Sequence, residues 1–282
     1  TENALAHQGE DSAMPYFEAG GIKLYYETEG SGPPVLFLHG LLHRNWMQHR
    51  LASLAARSFR SISLEFSGHG RSDSPRDPSH YSLKRFAFEA NACLEHLGVD
   101  GAVVHGTSLG ANVALEMLVG FPERLKGAVI EMPVLSASYG FARTLFEPLA
   151  RTLEVGAPVI SLLARALAVV PRVNPELAII LDLVPKNPRQ AAAVLWGLIE
   201  QTPRPDLDRF AKVAIPTLVI GHRRDPLHSF EDASRVASTI ESARLIEAAS
   251  MLELRLSPGR LWPQIESFYR ECLCEGAGKI SV

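Results

Sequence analysis

Cysteine is scarce: Cys93, Cys272 and Cys274 are the only three in 282 residues. An odd count without framework spacing excludes a disulfide scaffold. It implies free thiols in a reducing compartment, so a cytoplasmic location is expected. Cys272 and Cys274 form a C-x-C pair, but no His or Cys cluster beside them completes a tetrahedral set, and no metal is expected there. An excess of charge of one sign is also missing. With 28 Lys and Arg against 31 Asp and Glu, the net charge is -3. No basic stripe is present to track a phosphate backbone, which excludes nucleic acid as an expected partner. Long hydrophobic runs are absent too. The most apolar stretch, residues 155–170, is interrupted by Arg165 and falls short of the about 20 apolar residues that span a bilayer. Residues 1–13 are polar and lack the basic-then-apolar pattern of a signal peptide, so they are expected to form a flexible N-terminal segment. Histidine, finally, runs out: none of the ten in the chain follows His228.

What is present is a globular composition, 46% apolar and 21% charged, in a chain of the right length for one α/β domain carrying a large insertion. Residues 16–19 and 22–29 read as two strands around Gly20-Gly21, a hairpin signal. Residues 34–38 are a short, fully apolar run, as a buried central strand should be. Helical spacing over 45–57 precedes a further strand over 59–66. Ser82 caps a helix to about residue 97 whose apolar stripe is Leu83, Phe86, Ala90, Cys93 and Leu97. Strand 102–105, helix 109–119 and strand 125–130 follow, and later come strands 215–221 and 243–247 and a helix over 261–272. Strands alternating with helices imply a mostly parallel eight-stranded sheet with helices on both faces.

The alternation stops between residues 133 and 210. This stretch, rich in Ala, Leu and Pro, reads as short helices divided at Pro148, Pro158, Pro171, Pro175, Pro185 and Pro188. It is too long for a loop and is expected to be a helical cap, inserted after the sixth strand and lying over a pocket. The expected organisation is thus a core of residues 14–132 and 211–275, a cap of 133–210, and a C-terminal tail of 276–282.

One motif carries chemistry. Gly106-Thr107-Ser108-Leu109-Gly110 is a G-x-S-x-G sequence entered from a buried strand and left by an amphipathic helix. A sharp strand-to-helix turn holds a nucleophile in strained backbone geometry and admits only small residues two before and two after it. The helix N-terminus then points free N–H groups at charge developing beside Ser108. A Gly-rich turn with a solvated serine is the bland alternative. The pattern is neither a dinucleotide fingerprint nor a phosphate loop, and no metal or organic cofactor is expected.

With this motif the chain resembles the α/β-hydrolase superfamily of serine-nucleophile type, over nearly its whole length. His39-Gly40-Leu41-Leu42 looks like the family's HG-x-x segment after the third strand. The resemblance implies an oxyanion hole made by the backbone N–H groups of Leu41 and Leu109. Ser67-Gly68-His69-Gly70-Arg71-Ser72 matches the family's G-H-G-x-S turn. Residues 221–227, Gly-His-Arg-Arg-Asp-Pro-Leu, resemble the segment bearing the catalytic acid, which makes Asp225 the candidate; a plain turn Asp before Pro226 is the alternative. Glu131, after the sixth strand, is a second position for the acid. A serine at the elbow argues against epoxide hydrolase or dehalogenase chemistry, for which the family places Asp there.

The family's base, a His after the last strand, is missing. Met251 stands where it is expected, and a thioether cannot accept a proton at neutral pH. His228, three residues past Asp225 on the same loop, is the favoured replacement, since a base and its orienting acid need geometry and not sequence order. His43 is a candidate substrate contact and a weaker candidate base. His105 reads as a core His, His69 as structural and His222 as a strand end. The implied activity is hydrolysis of a carboxylic ester or related acyl substrate, small and apolar, through an acyl-enzyme. A binding protein without a base, or a carbon–carbon bond hydrolase or lyase on the same scaffold, stays open, as does the oligomeric state.

Overall fold

The computed structural model describes residues 15–170, 181, 184–185, 187–202, 206–223, 225 and 227–274. The expected N-terminal segment 1–13 and tail 276–282 lie outside them. Eight strands form one sheet: β1 (Tyr16–Ala19), β2 (Ile22–Glu29), β3 (Pro34–Leu38), β4 (Arg60–Glu65), β5 (Ala102–Thr107), β6 (Leu125–Glu131), β7 (Thr217–His222) and β8 (Ala243–Ala248). Their spatial order is β1-β2-β4-β3-β5-β6-β7-β8. Only the β1–β2 and β2–β4 pairings are antiparallel; the others are parallel. The expected mostly parallel α/β sheet is therefore present. Its first hairpin turns at Gly20 and Gly21, both at positive φ (55° and 78°), the conformation a two-residue hairpin loop demands.

The period-2 alternation of the central strands feeds two apolar layers. Leu36, Leu38, Val104, Ala128, Ile130 and Val219 face α2 (Leu83–His96), α3 (Leu109–Gly120) and α7 (Phe230–Thr239). Val35, Phe37, Val103, Val129, Leu218 and Ile220 face α1 (His49–Ala55), the short α8 (Glu253–Leu256) and α9 (Trp262–Leu273). A strand buried on both faces is apolar over most of its length, which is why β3 was legible as a continuous run. The reading of residues 45–57 as one helix resolves into a 3-10 turn, Asn45–Gln48, followed by α1. Helix α7, which the sequence reading had not picked out, begins at the cap Ser229, whose hydroxyl accepts the Glu231 N–H.

Among the described residues, the helices α4 (Ser136–Val155), α5 (Ala157–Ala168) and α6 (Pro188–Gln201) lie between β6 and β7. Pro158 and Pro188 stand in the first turns of α5 and α6, where a missing N–H costs nothing. Pro185 is not helical, and Pro171 and Pro175 lie outside the described residues. Pro148 corrects the expectation: it sits inside α4 and does not divide it. Beyond it, Ala150 and Leu153 pack on Ala191, Ala192 and Leu195 of α6, with Leu41 and Leu42 against the same cluster. That burial carries the helix past one lost hydrogen bond. The start of α4 is tied to the sheet layer by the buried Asp232 of α7, which accepts the N–H groups of Leu135, Ala137 and Ser138, each at 2.9 Å. Among the described residues no helix is long and apolar enough to cross a membrane.

One buried carboxyl makes the fold pH-sensitive. Glu89 of α2 is fully buried and accepts the Ser67 N–H at 3.0 Å. Burial outweighs that bond and the nearby Arg85, and pushes its pKa up to about 7. The folded chain therefore keeps a proton that the unfolded chain, with a carboxyl near about 4.3, releases. Stability is fullest below the unfolded value and falls as pH rises towards 7. Glu89→Gln, which cannot ionise, should gain on the wild type by roughly 1–3 kcal/mol between pH 5 and pH 8. Urea unfolding at the two pH values measures this, and parallel behaviour of the two proteins would refute it.

Candidate functional site

The chain reverses from β5 into α3 through one residue. Ser108 has φ 54° and ψ -110°, a region that a non-glycine residue enters only when its surroundings hold it there. Its N–H donates to the Glu131 carbonyl at 2.8 Å, and its carbonyl accepts the Asn112 N–H at 3.1 Å. A Cβ at position 106 would collide with the Gly110 carbonyl, and one at 110 with the Leu38 carbonyl. Both flanking glycines are therefore required by close backbone approach, as the motif implied.

Asp225 and His228 lie on the loop between β7 and α7. Asp225 Oδ1 accepts the N–H groups of Leu227 (2.9 Å) and His228 (3.0 Å), folding the loop into an Asx turn. The turn brings His228 Nδ1 to 2.7 Å from Asp225 Oδ2, and His228 Nε2 lies 2.8 Å from Ser108 Oγ. His228 is 5% exposed. Burial raises the Asp225 pKa, but the hydrogen bond and charge of His228 together with two backbone donors bring it below the ordinary Asp value. Asp225 is then a carboxylate, which only accepts, so Nδ1 carries the ring proton. The Nε2 lone pair faces the Ser108 hydroxyl, which donates to it. The turn role and the orienting role of Asp225 coexist in one side chain.

The other candidates are placed elsewhere. Met251 is 38% exposed on the turn after β8. His105 Nδ1 is 2.6 Å from the Tyr269 hydroxyl. His69 Nδ1 is 3.0 Å from the Ser67 carbonyl, and burial pushes its pKa down to about 4. His222 Nε2 lies 3.3 Å from Glu131 Oε1. Glu131 itself pairs with Arg255, not with the His228 imidazole. His43 and Ser108 both adjoin Gly40, yet His43 lines a neighbouring, more polar cavity with Arg44, His69 and Gln190. Among the described residues no group of three or more His, Cys, Asp or Glu side chains could hold a metal ion.

Ser108 opens into a cavity of about 710 Å³ of empty space, its open mouth included. Leu41 and Leu109 flank the serine there. Leu109 is the first residue of α3, so its N–H has no carbonyl within the helix to bond. The segment after β3 turns tightly, with Leu42 at φ 59° and the His43 N–H on the Gly40 carbonyl at 3.2 Å. The remaining wall is mostly apolar: Leu83, Val134, Ala142, Phe146, Leu198 and Leu227. Of its polar members, Asn112 bonds both polar groups of the Val134 backbone, the Tyr139 hydroxyl donates to the Thr202 carbonyl and Arg143 pairs with Glu147, whereas the Thr202 hydroxyl is buried without a hydrogen-bond partner among the described residues. The lining residues of α4 and α6 had no motif to announce them. Arg255 was also missed; its one sequence signal is a charge between two leucines.

Comparison with known proteins points to the same fold. A sequence profile for the alpha/beta hydrolase fold matches residues 33–158. "Epoxide hydrolase 2" of Siraitia grosvenorii is 34% identical over 39% of this chain, a match spanning only 35% of that protein's length. The Azorhizobium caulinodans protein RutD, named as a carbamate hydrolase, is 28% identical over 83% of this chain and 89% of its own. A thermophilic esterase from Thermogutta terrifontis superposes with a TM-score of 0.74 at 24% identity, covering 92% of this chain and 97% of that one. Its sheet order, its strand-to-helix serine turn and these likenesses show that the chain has the alpha/beta hydrolase fold.

Proposed function

We propose that this protein is a serine hydrolase that cleaves a carboxylic ester or related acyl substrate through an acyl-enzyme. The observation that carries the reading is the unbroken chain of contacts from Ser108 Oγ through His228 to Asp225, at 2.8 Å and 2.7 Å. Ser108 attacks the acyl carbon while His228 Nε2 takes its proton. Asp225 holds the ring's tautomer and stabilises the imidazolium. The N–H groups of Leu41 and Leu109 receive the oxyanion, a contribution of typically about 3 kcal/mol per donor. His228 then protonates the leaving alkoxide, water replaces it, and the second half runs in reverse. Residues 14–132 and 211–275 act as the catalytic core, and the helices within 133–210 act as its cap. The apolar wall fits an apolar acyl or alcohol part, a small-molecule ester. The name of the Siraitia relatives is not carried over. Opening an epoxide by family chemistry needs a carboxylate at the elbow, and this elbow holds Ser108.

Short p-nitrophenyl esters test the reading. The wild type should turn them over, and Ser108→Ala and His228→Ala should each lower kcat by about 10³-fold or more. Asp225→Asn, which frees the ring to take the wrong tautomer, should lower it by about 10²- to 10⁴-fold. Turnover that persists in Ser108→Ala would remove the nucleophile, and turnover that persists in His228→Ala would remove the base. Met251→Ala should leave kcat within about twofold, since a half-exposed thioether has no part in the proton path. A loss of kcat as large as that of His228→Ala would show that the turn after β8 still serves the chemistry.

A further inference from the structure

Behind the serine turn lies a second polar cluster, sealed from solvent. Glu131, the last residue of β6, is fully buried, and Arg255 of α8 is 5% exposed. The Arg255 guanidinium meets the Glu131 carboxylate with both terminal nitrogens: Nη1 on Oε1, and Nη2 on Oε2 at 2.8 Å. Nη2 also donates to Thr107 Oγ1 at 3.0 Å. That hydroxyl donates to Glu131 Oε2 at 2.7 Å and accepts Gln48 Nε2 at 2.9 Å. Thr107 immediately precedes Ser108, and the Glu131 carbonyl holds the Ser108 N–H.

We propose, resting on the serine-hydrolase reading, that Arg255 is a positioning residue for the nucleophile: its guanidinium fork clamps Thr107 and Glu131, and through them holds Ser108 in line with His228.

Two physical arguments support this. Burying a carboxylate and a guanidinium costs several kcal/mol of desolvation per ion, so an apolar pair would serve stability as well or better. What the ionic fork adds is direction, because its parallel N–H bonds fix the relative orientation of the strand ends that carry Thr107 and Glu131. The Ser108 backbone, meanwhile, sits in a region that costs on the order of 1–3 kcal/mol and persists only where neighbours over-determine it. The clamp supplies that constraint from the side the substrate never reaches. Burial pushes the Glu131 pKa up, but Arg255, His105 and His222 outweigh it and hold the pKa well below the ordinary range, so the acceptor stays anionic. Arg255 comes from the segment that follows β8, four residues beyond Met251. That segment supports the serine from behind instead of supplying a base in front.

The test is the double variant Arg255→Met/Glu131→Gln, which strands no charge, beside Thr107→Val, which removes the hydroxyl's bonds to Arg255, Glu131 and Gln48 and leaves the ion pair in place. Three quantities are read: labelling of Ser108 by a fluorophosphonate, kcat and KM for a p-nitrophenyl ester, and the crystallographic distance from Ser108 Oγ to His228 Nε2. For the double variant, labelling and kcat should fall by about 10²-fold with KM within about twofold, the loss expected from a misplacement near 1 Å. The serine–imidazole hydrogen bond should be gone. Thr107→Val, with the ion pair intact, should still fold at a somewhat lower melting temperature and fall by about tenfold in labelling and kcat, so the proposal is testable even if the double variant does not fold. Labelling, kcat and serine–imidazole distance unchanged in a folded variant would overturn the positioning role, whatever happens to the melting temperature. A wild type that neither labels nor hydrolyses, with a variant crystal structure that still loses the contact, would sink the hydrolase reading and leave the clamp standing.

Discussion

A parallel strand can hand over to a helix in a single residue only if that residue accepts left-handed φ and the two segments can nearly touch. At Ser108 both conditions are met: φ is 54°, and the glycines at 106 and 110 leave room where any Cβ would strike backbone. The rest of the site is referenced to this reversal. It lifts the serine side chain off the end of the sheet, aims the start of α3 at the same point, and leaves the first helical N–H unclaimed. The apolar layers on the two faces of the sheet fix β5 and α3 so firmly that the strain has nowhere to relax.

Two polar systems of different character meet at this turn. In front, Asp225 and His228 share one short loop. A single carboxylate shapes the loop with one oxygen and orients the imidazole with the other. Two side chains three residues apart need no separate segment to bring them together. The loop is in turn stitched to α4, because the Ser229 N–H donates to Ser138 Oγ at 2.8 Å. Asp232 caps the start of that helix one turn further on. Pocket wall and the His228 loop are thus mechanically continuous. Behind the turn, the ionic cluster of Glu131 and Arg255 grips the residues that flank the serine, in a medium where an unpaired charge would be costly.

The helices between β6 and β7 do more than enclose the pocket. Their small apolar cluster rests on Leu41 and Leu42, the residues that follow the third strand. Anything that displaces α4 or α6 therefore bears on Leu41, which lines the cavity beside Ser108. The wall is mostly apolar, and among its few polar groups the Thr202 hydroxyl is buried without a hydrogen-bond partner among the described residues.

The central strands, the hairpin, the helices at 82–97 and 109–119 and the serine turn were legible in the sequence, because each depends on residues adjacent in the chain. Alternation reports two buried faces, a capping serine starts a helix, and small residues flank a tight reversal. Pro148 misled for the same local reason: intrinsic preference opposes helix there, and burial of Ala150 and Leu153 against a distant helix overrides it. The fate of the site's polar residues was not local. His228 stood among five histidines with some claim to the role of base, and Glu131 stayed open as a second position for the acid behind Asp225; Arg255, more than a hundred residues away in sequence, lies against it. By itself the sequence determined which side chains the chain can offer and where the backbone must turn. Only the tertiary structure decided which imidazole meets the serine, because a hydrogen bond is settled within about 3 Å, while packing brings distant segments together with no trace in their spacing.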